Sequence, residues 1–186
     1  MNVYISLLRG INVGGSKILS MGTVCDLYAG IGFTHIHTYL QSGNVIFVSP
    51  QDDRSQLAGQ IEARINQICG FHVDAFIRQA QDFQSIITHN PFLTQLNLDP
   101  TKLHVSFLYQ PVEEAAWSKL VVPADIPDKL ARGDLAIYLY YPNGVAKAKI
   151  STSYLEKALG VSMTNRNWNT VNALYKMALE RQSSGR

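Results

Sequence analysis

Apolar positions fall in short runs of two periods, and each change of period marks an element. Val3 to Leu8 is a nearly unbroken apolar run and reads as a buried strand. Ser20 then offers an N-cap, with Met21, Val24, Cys25 and Tyr28 following at helical spacing; Gly30 and Gly32 stop the helix. His35 to Leu40 alternates, Ser42-Gly43-Asn44 turns the chain, and Val45 to Val48 completes a hairpin. Asp53 caps a second helix with Leu57, Ile61, Ile65 and Ile68 on one stripe, ended by Gly70. His72 to Arg78 reads as a fourth strand. The order β-α-β-β-α-β is the ferredoxin-like arrangement. A short helix around Phe83, Ile86 and Ile87 runs on to Asn90-Pro91-Phe92.

Asn90 to Thr101 holds two prolines and no periodicity, as a connection between subdomains would. Leu103 to Tyr109 opens a new strand in a separate sheet. Pro111 to Leu120 reads as a short helix with acidic residues in its first turn. Val121 to Gly133, broken by Pro123 and Pro127, reads as an irregular excursion. Leu135 to Tyr141, Pro142-Asn143-Gly144 and Val145 to Ile150 give the strongest hairpin pattern in the chain. Ser153 with Glu156 forms a capping box for a helix ended by Gly160. Val171, Leu174, Tyr175 and Ala178 mark a last amphipathic helix, and Trp168 before it is expected in the core. No internal repeat is visible. The predicted fold class is α+β, with two α+β subdomains, the first ferredoxin-like (βαββαβ). Residues 1–92 form the first and 102–181 the second; the polar tail, 182–186, is expected to be disordered.

Composition narrows the class without naming an activity. Of 186 residues 46% are hydrophobic, enough for a sizeable core, yet no apolar stretch nears the roughly 18 residues of a membrane helix. Cys25 and Cys69 sit at apolar positions of predicted helices, so buried thiols are expected rather than a disulfide framework. With no signal-peptide layout at the N-terminus, a cytoplasmic location and no membrane partner are expected. The formal charge of +2 is uneven: residues 1–95 carry five basic and six acidic side chains, and residues from Lys147 onward carry seven and two. A basic segment of this kind can meet an anionic partner, although a solvated helical face explains it equally well.

The candidate chemistry lies after the first strand, in Arg9-Gly10-Ile11-Asn12-Val13-Gly14-Gly15-Ser16-Lys17. Glycines let backbone N–H groups turn toward an anion, and two cations bracket them. The spacing fits neither a Walker A loop nor a dinucleotide fingerprint. His35 and His37 could share one strand face as metal ligands, but a third ligand is not identifiable, so no metal is assigned. The pattern names no cofactor and no catalytic residue.

Leu7-Leu8-Arg9-Gly10-Ile11-Asn12-Val13-Gly14-Gly15 resembles the signature of domain-of-unknown-function family 1697. Tyr39-Leu40-Gln41-Ser42-Gly43-Asn44-Val45 and Arg166-Asn167-Trp168-Asn169-Thr170-Val171 match it in the expected order. The resemblance spans nearly the whole chain and implies two α+β subdomains, the first ferredoxin-like. It implies no activity.

The three blocks are rich in amides and cations. If they converge in a cleft between the subdomains, the ligand-binding residues are Arg9, Asn12, Gly14, Gly15, Lys17, Gln41, Asn44, Arg166, Asn167 and Asn169, and the ligand is a small phosphorylated or otherwise anionic molecule. A structural reading stands beside it: glycines and Asn44 for turns, Trp168 as core. A nucleic-acid-binding protein is the alternative, through a helix-turn-helix after Leu155 to Ser162 or through aromatics such as Tyr4 and Tyr39 on a sheet. Oligomeric state is left open.

Overall fold

Caps and apolar faces shape the first half much as its periodicity predicts. The computed structural model describes residues 1–95 and 98–184. β1 spans Asn2–Leu8. α1 (Met21–Ala29) begins at Ser20, whose hydroxyl accepts from the Thr23 N–H. β2 (Thr34–Tyr39) and β3 (Asn44–Ser49) form the expected hairpin. α2 (Arg54–Cys69) begins at Asp53, whose carboxylate accepts from the Ser55 and Gln56 N–H groups, and it ends at Gly70 with φ +75°. β4 (Ala75–Arg78) and α3 (Ala80–Thr88) follow. The sheet order is β2-β3-β1-β4, all neighbours antiparallel. Tyr4, Leu8, Val45, Phe47, Ala75 and Ile77 pack with Val24, Leu27 and Tyr28 of α1 and Leu57, Ile61 and Ile65 of α2. Ile68, expected on the same stripe, is exposed.

The second sheet is separate, as the proline-bearing connection implies, but its elements differ from expectation. β5 is Leu103–Leu108 and α4 is only Glu114–Trp117. β6 (Lys129–Arg132) lies inside the stretch expected to be irregular. β7 (Ala136–Tyr140) pairs with β6 before it, not with residues 145–150. Those residues form a 3-10 turn, Val145–Lys147, and an irregular stretch whose Lys149 and Ile150 N–H groups donate to the buried Asp128 carboxylate, at 2.6 and 3.1 Å. With β5 on its other edge, β7 has no free edge for a second hairpin partner.

α5 (Thr152–Leu159) is capped by Ser151, not Ser153; Glu156 instead accepts from the Met163 N–H. β8 (Met163–Asn167) was not foreseen: its sequence Met-Thr-Asn-Arg-Asn lacks an apolar pattern. α6 (Trp168–Ser184) closes the fold and takes in residues 182–184 of the segment expected to be a disordered tail; 185 and 186 lie outside the described residues. The sheet order is β6-β7-β5-β8, again antiparallel throughout. Among the described residues no helix is long and apolar enough to cross a membrane.

The molecule divides into two units, Met1–Gln84 with Ala173–Arg186 and Ser85–Asn172, so α3 and α6 each straddle a boundary. Element for element the two sheets repeat one pattern: strand, helix, two strands, helix, strand, helix. The registers coincide. Leu8, Leu7, Ser6 and Ile5 face Ala75, Phe76, Ile77 and Arg78; Leu108, Phe107, Ser106 and Val105 face Met163, Thr164, Asn165 and Arg166. The backbone bonds at the strand ends match too. Leu8 N–H donates to Gly43 O and Arg9 N–H to Asp74 O; Leu108 N–H donates to Leu135 O and Tyr109 N–H to Ser162 O. The second unit is therefore also ferredoxin-like, a duplication that few residue identities reveal.

At Gly43 φ is +73°, and a Cβ would lie 2.7 Å from Leu8 Cβ and 2.9 Å from Ile11 Cδ1; at Gly14, φ +61°, it would meet open space. Gly43→Ala should therefore cost roughly 2–4 kcal/mol in urea unfolding, against about 1–2 kcal/mol for Gly14→Ala. Equal losses would mean that the turn relaxes. Trp168 is 6% exposed, and Trp168→Ala should cost about 3–5 kcal/mol; an unchanged urea midpoint would take it out of the core.

His104 donates Nδ1–H to Asn165 Oδ1 at 2.7 Å, and burial holds its pKa below the ordinary value despite that bond. The unfolded chain thus binds more protons once pH falls through about 6.5. Stability contributed by neutral His104 is full above that pH and is lost from there down to the lowered folded pKa. His104→Gln should flatten the fall in urea midpoint between pH 7.5 and 5.5, and an unaltered slope would discharge His104 from the effect.

Candidate functional site

The loop after β1 is built on two apolar feet and one amide. Ile11 and Leu19 are buried at 1% and 4% exposure, which pins both ends of the loop to the core. Between them Asn12 donates Nδ2–H to Leu19 O at 2.9 Å and to Gln41 O at 2.7 Å, while its Oδ1 accepts from Leu19 N–H at 2.8 Å. One side chain thus closes the loop and ties it to the β2–β3 turn, using the amide as donor and acceptor together. Inside the closure residues 12–17 form a miniature hairpin, with Asn12 N–H bonded to Lys17 O and Ser16 N–H to Val13 O. Gly14 and Gly15 make its tip with φ +61° and +76°, the pair of positive φ values that a type I′ turn demands.

The cations sit at the side of this hairpin. Arg9 Nη1 lies 3.6 Å from Asp74 Oδ2, and Asp74 Oδ1 is 2.8 Å from His72 Nε2. Lys17 donates Nζ–H to His72 O at 2.7 Å. The structure thus brings Arg9 and Lys17 to the same short segment, His72 to Asp74, Arg9 at the Asp74 carboxylate and Lys17 at the His72 carbonyl. Arg9 is 39% exposed, so the ion pair is worth little to stability and the guanidinium is reachable. His72 and Asp74 were missing from the sequence-based set. Their signal was spacing: two polar residues at i and i+2 ahead of a strand share one side.

Other candidates have structural employment. Asn44 is fully buried and donates Nδ2–H to Tyr39 O and Ser42 Oγ, at 2.9 and 3.0 Å, so it shapes the turn. Gln41 offers its carbonyl to Asn12 and its side chain to solvent. Arg166, Asn167 and Asn169 form a second group in the other unit. Arg166 is 7% exposed and donates Nη1–H to Thr164 Oγ1 and Asn165 O, both at 2.8 Å. Burial pushes its pKa down to about 10, which leaves it charged at neutral pH. Asn167 caps α6: its Oδ1 accepts from the Asn169 N–H at 2.9 Å and its Nδ2–H reaches Thr101 O at 3.0 Å. Arg78, in the same register of the first unit, repeats the Arg166 arrangement by donating to Ile77 O at 2.9 Å; burial outweighs Asp82 and lowers its pKa to about 10.

The duplication supplies an internal control. The connection from β1 to α1 takes twelve residues, 9–20, whereas that from β5 to α4 takes five, 109–113. At the matched backbone positions Arg9 and Asp74 become Tyr109 and Ser162, neither charged. Arg132 occupies the second unit's corner instead: it bonds Val112 O at 3.0 Å, pairs with Glu114, and stacks 5.4 Å over the Trp117 ring. The glycine hairpin and its cations are thus surplus to what this fold needs.

Rival features are weaker. An open groove of about 510 Å³ is lined by Ile31, Gln60, Ala63, Arg64 and Gln67. Its cation lies against the C-terminal end of α1, where the helix dipole favours positive charge. Among the described residues, no three His, Cys, Asp or Glu side chains are placed to share a metal ion. β8 fills the interval between α5 and α6, so no helix-turn-helix forms there. Tyr4 is buried, stacked on Phe47 at 5.6 Å, and offers no face to a base.

A search of curated proteins finds no match. The fold is similar to that of conserved bacterial protein SP0830 from Streptococcus pneumoniae, with a TM-score of 0.66 and 21% identity over 95% of this chain and 98% of that one. The sequence model described as protein of unknown function (DUF1697) matches residues 1–138. With both blocks that shape the corner, Leu7 to Gly15 and Tyr39 to Val45, inside the matched region, the chain belongs to the DUF1697 family.

Proposed function

We propose that the Arg9–Lys17 loop of the first unit binds a small anionic ligand, a phosphorylated one being the best fit. The observation that carries this is the surplus of the loop over its counterpart: residues 9–20 against 109–113 for the same step of the same topology. The surplus holds an exposed Gly14-Gly15 tip and draws two cations to its side, at Asp74 and His72. The hairpin's own bonds use the N–H groups of Asn12 and Ser16, not those of the two glycines, whose amides are available to an anion. Arg9 and Lys17 add charge-assisted hydrogen bonds. No reaction is assigned to the site.

Titration with inorganic phosphate and with mononucleotides, followed by calorimetry and thermal shift, tests the reading. A charge-assisted hydrogen bond is worth roughly 1.5–3 kcal/mol, so Arg9→Gln and Lys17→Gln should each weaken anion binding about ten-fold or more. Arg9→Gln should leave the melting temperature of the free protein nearly unchanged, because its ion pair is partly exposed, and Lys17→Gln should lower it only slightly, through loss of one exposed bond to the His72 carbonyl. Variants that bind as well as the parent would refute the site. A response to oligonucleotides alone, with steep salt dependence, would transfer the reading to nucleic-acid binding.

A further inference from the structure

The corner that holds the proposed anion also displays aliphatic side chains. Val13, Ile18 and Leu40 are 63%, 74% and 56% exposed, although Ile11 and Leu19 of the same loop are buried. Val13 flanks the glycine tip, Ile18 follows Lys17, and Leu40 precedes Gln41, whose carbonyl Asn12 holds. Leu40 is the most telling. Its φ is +58°, a conformation that favours glycine or asparagine and penalises a bulky residue. It therefore carries two costs, backbone strain and an exposed isobutyl group. Neither cost returns anything to the fold, since asparagine would relieve both. Strain that the fold does not require points to a task at that residue.

We infer that the anion taken by this loop is a phosphate ester with an apolar body, aromatic or aliphatic, and that Val13, Ile18 and Leu40 contact that body while the glycine tip, Arg9 and Lys17 hold the phosphate. The inference rests on the anion-binding reading above. Charge and size select this occupant. Arg9 pairs with the Asp74 carboxylate while Lys17 bonds only the neutral His72 carbonyl, so the corner keeps a positive charge that suits the phosphate end. Three aliphatic side chains suit one small apolar group such as an aromatic ring, far fewer than the roughly 20–30 residues a side of a stable protein interface.

Calorimetry on the full chain separates the two ideas with three titrants: inorganic phosphate, phenyl phosphate and adenosine monophosphate. Both esters should bind at least about ten-fold more tightly than inorganic phosphate. Leu40→Asn should match or exceed the parent in urea midpoint, because asparagine accepts positive φ, and yet weaken phenyl phosphate about three- to ten-fold with inorganic phosphate unchanged. Ile18→Ser should weaken the esters likewise. If phenyl phosphate binds no better than phosphate, or if Leu40→Asn leaves its affinity intact, the apolar contact is refuted and the anion site stands. If neither phosphate nor ester binds, both readings fall.

Discussion

The corner of the first unit depends on how closely the β2–β3 turn approaches the end of β1. Gly43 makes that approach: its carbonyl takes the Leu8 N–H, and its Cα leaves no room for a side chain beside Leu8 and Ile11. Contact there seats Ile11 as the first foot of the loop. It also sets Gln41 where the Asn12 amide can reach it. Asn12 then bonds Leu19 twice, which fixes the second foot. The glycine hairpin between the feet is held from below and from the side. Its geometry is inherited from one missing Cβ on another turn, at Gly43.

The duplicated topology separates what the fold requires from what it merely permits. Both units keep a serine at the middle of the first strand, Ser6 and Ser106, and a buried arginine on the last, Arg78 and Arg166. Each serine serves the interior: Ser6 accepts from Tyr28 Oη–H and Ser106 from Asn165 Nδ2–H. A buried guanidinium is costly to desolvate, and each arginine recovers part of that cost by bonding the carbonyl of the residue before it. These are shared framework. The glycine tip, the Arg9–Asp74 pair and Lys17 have no counterpart at the matched positions, so framework does not explain them.

Periodicity made the first unit legible because each of its elements shows one face to the core, whose apolar residues recur at 2 or 3.6. The second unit hid its edge strands. β6, Lys-Leu-Ala-Arg, lies among prolines and carries charge at both ends, as an edge strand does to resist pairing. β8 is almost wholly polar, yet it is placed by register with β5 and by the Arg166 and Asn165 bonds, which no local pattern discloses. Residues 145–150 alternate like a strand, but Asp128, more than twenty positions away in sequence, takes their N–H groups. The repeat was invisible because backbone bonds and register carry it, with few matching letters such as Leu8 and Leu108.

At the candidate site the loop was legible but the division of labour was not. An amide that shapes a turn and one that grips a ligand look alike in sequence, since both donate and accept. Position decides: Asn44 is sealed inside, Asn12 closes the loop, and Asn167 caps a helix. Backbone conformation sorts the rest. Asn12, Lys17 and Leu40 all have positive φ in this one corner, at a cost of about 1–2 kcal/mol for Lys17 and Leu40 and less for an asparagine. Asn12 offsets its share with three hydrogen bonds, and Lys17 with its bond to the His72 carbonyl. Leu40 has no polar side-chain atom with which to do the same, and burial does not reward it either. Of these three residues it is the one whose cost folding leaves unexplained, which makes the β2–β3 turn as much a part of the candidate site as the glycine loop it supports.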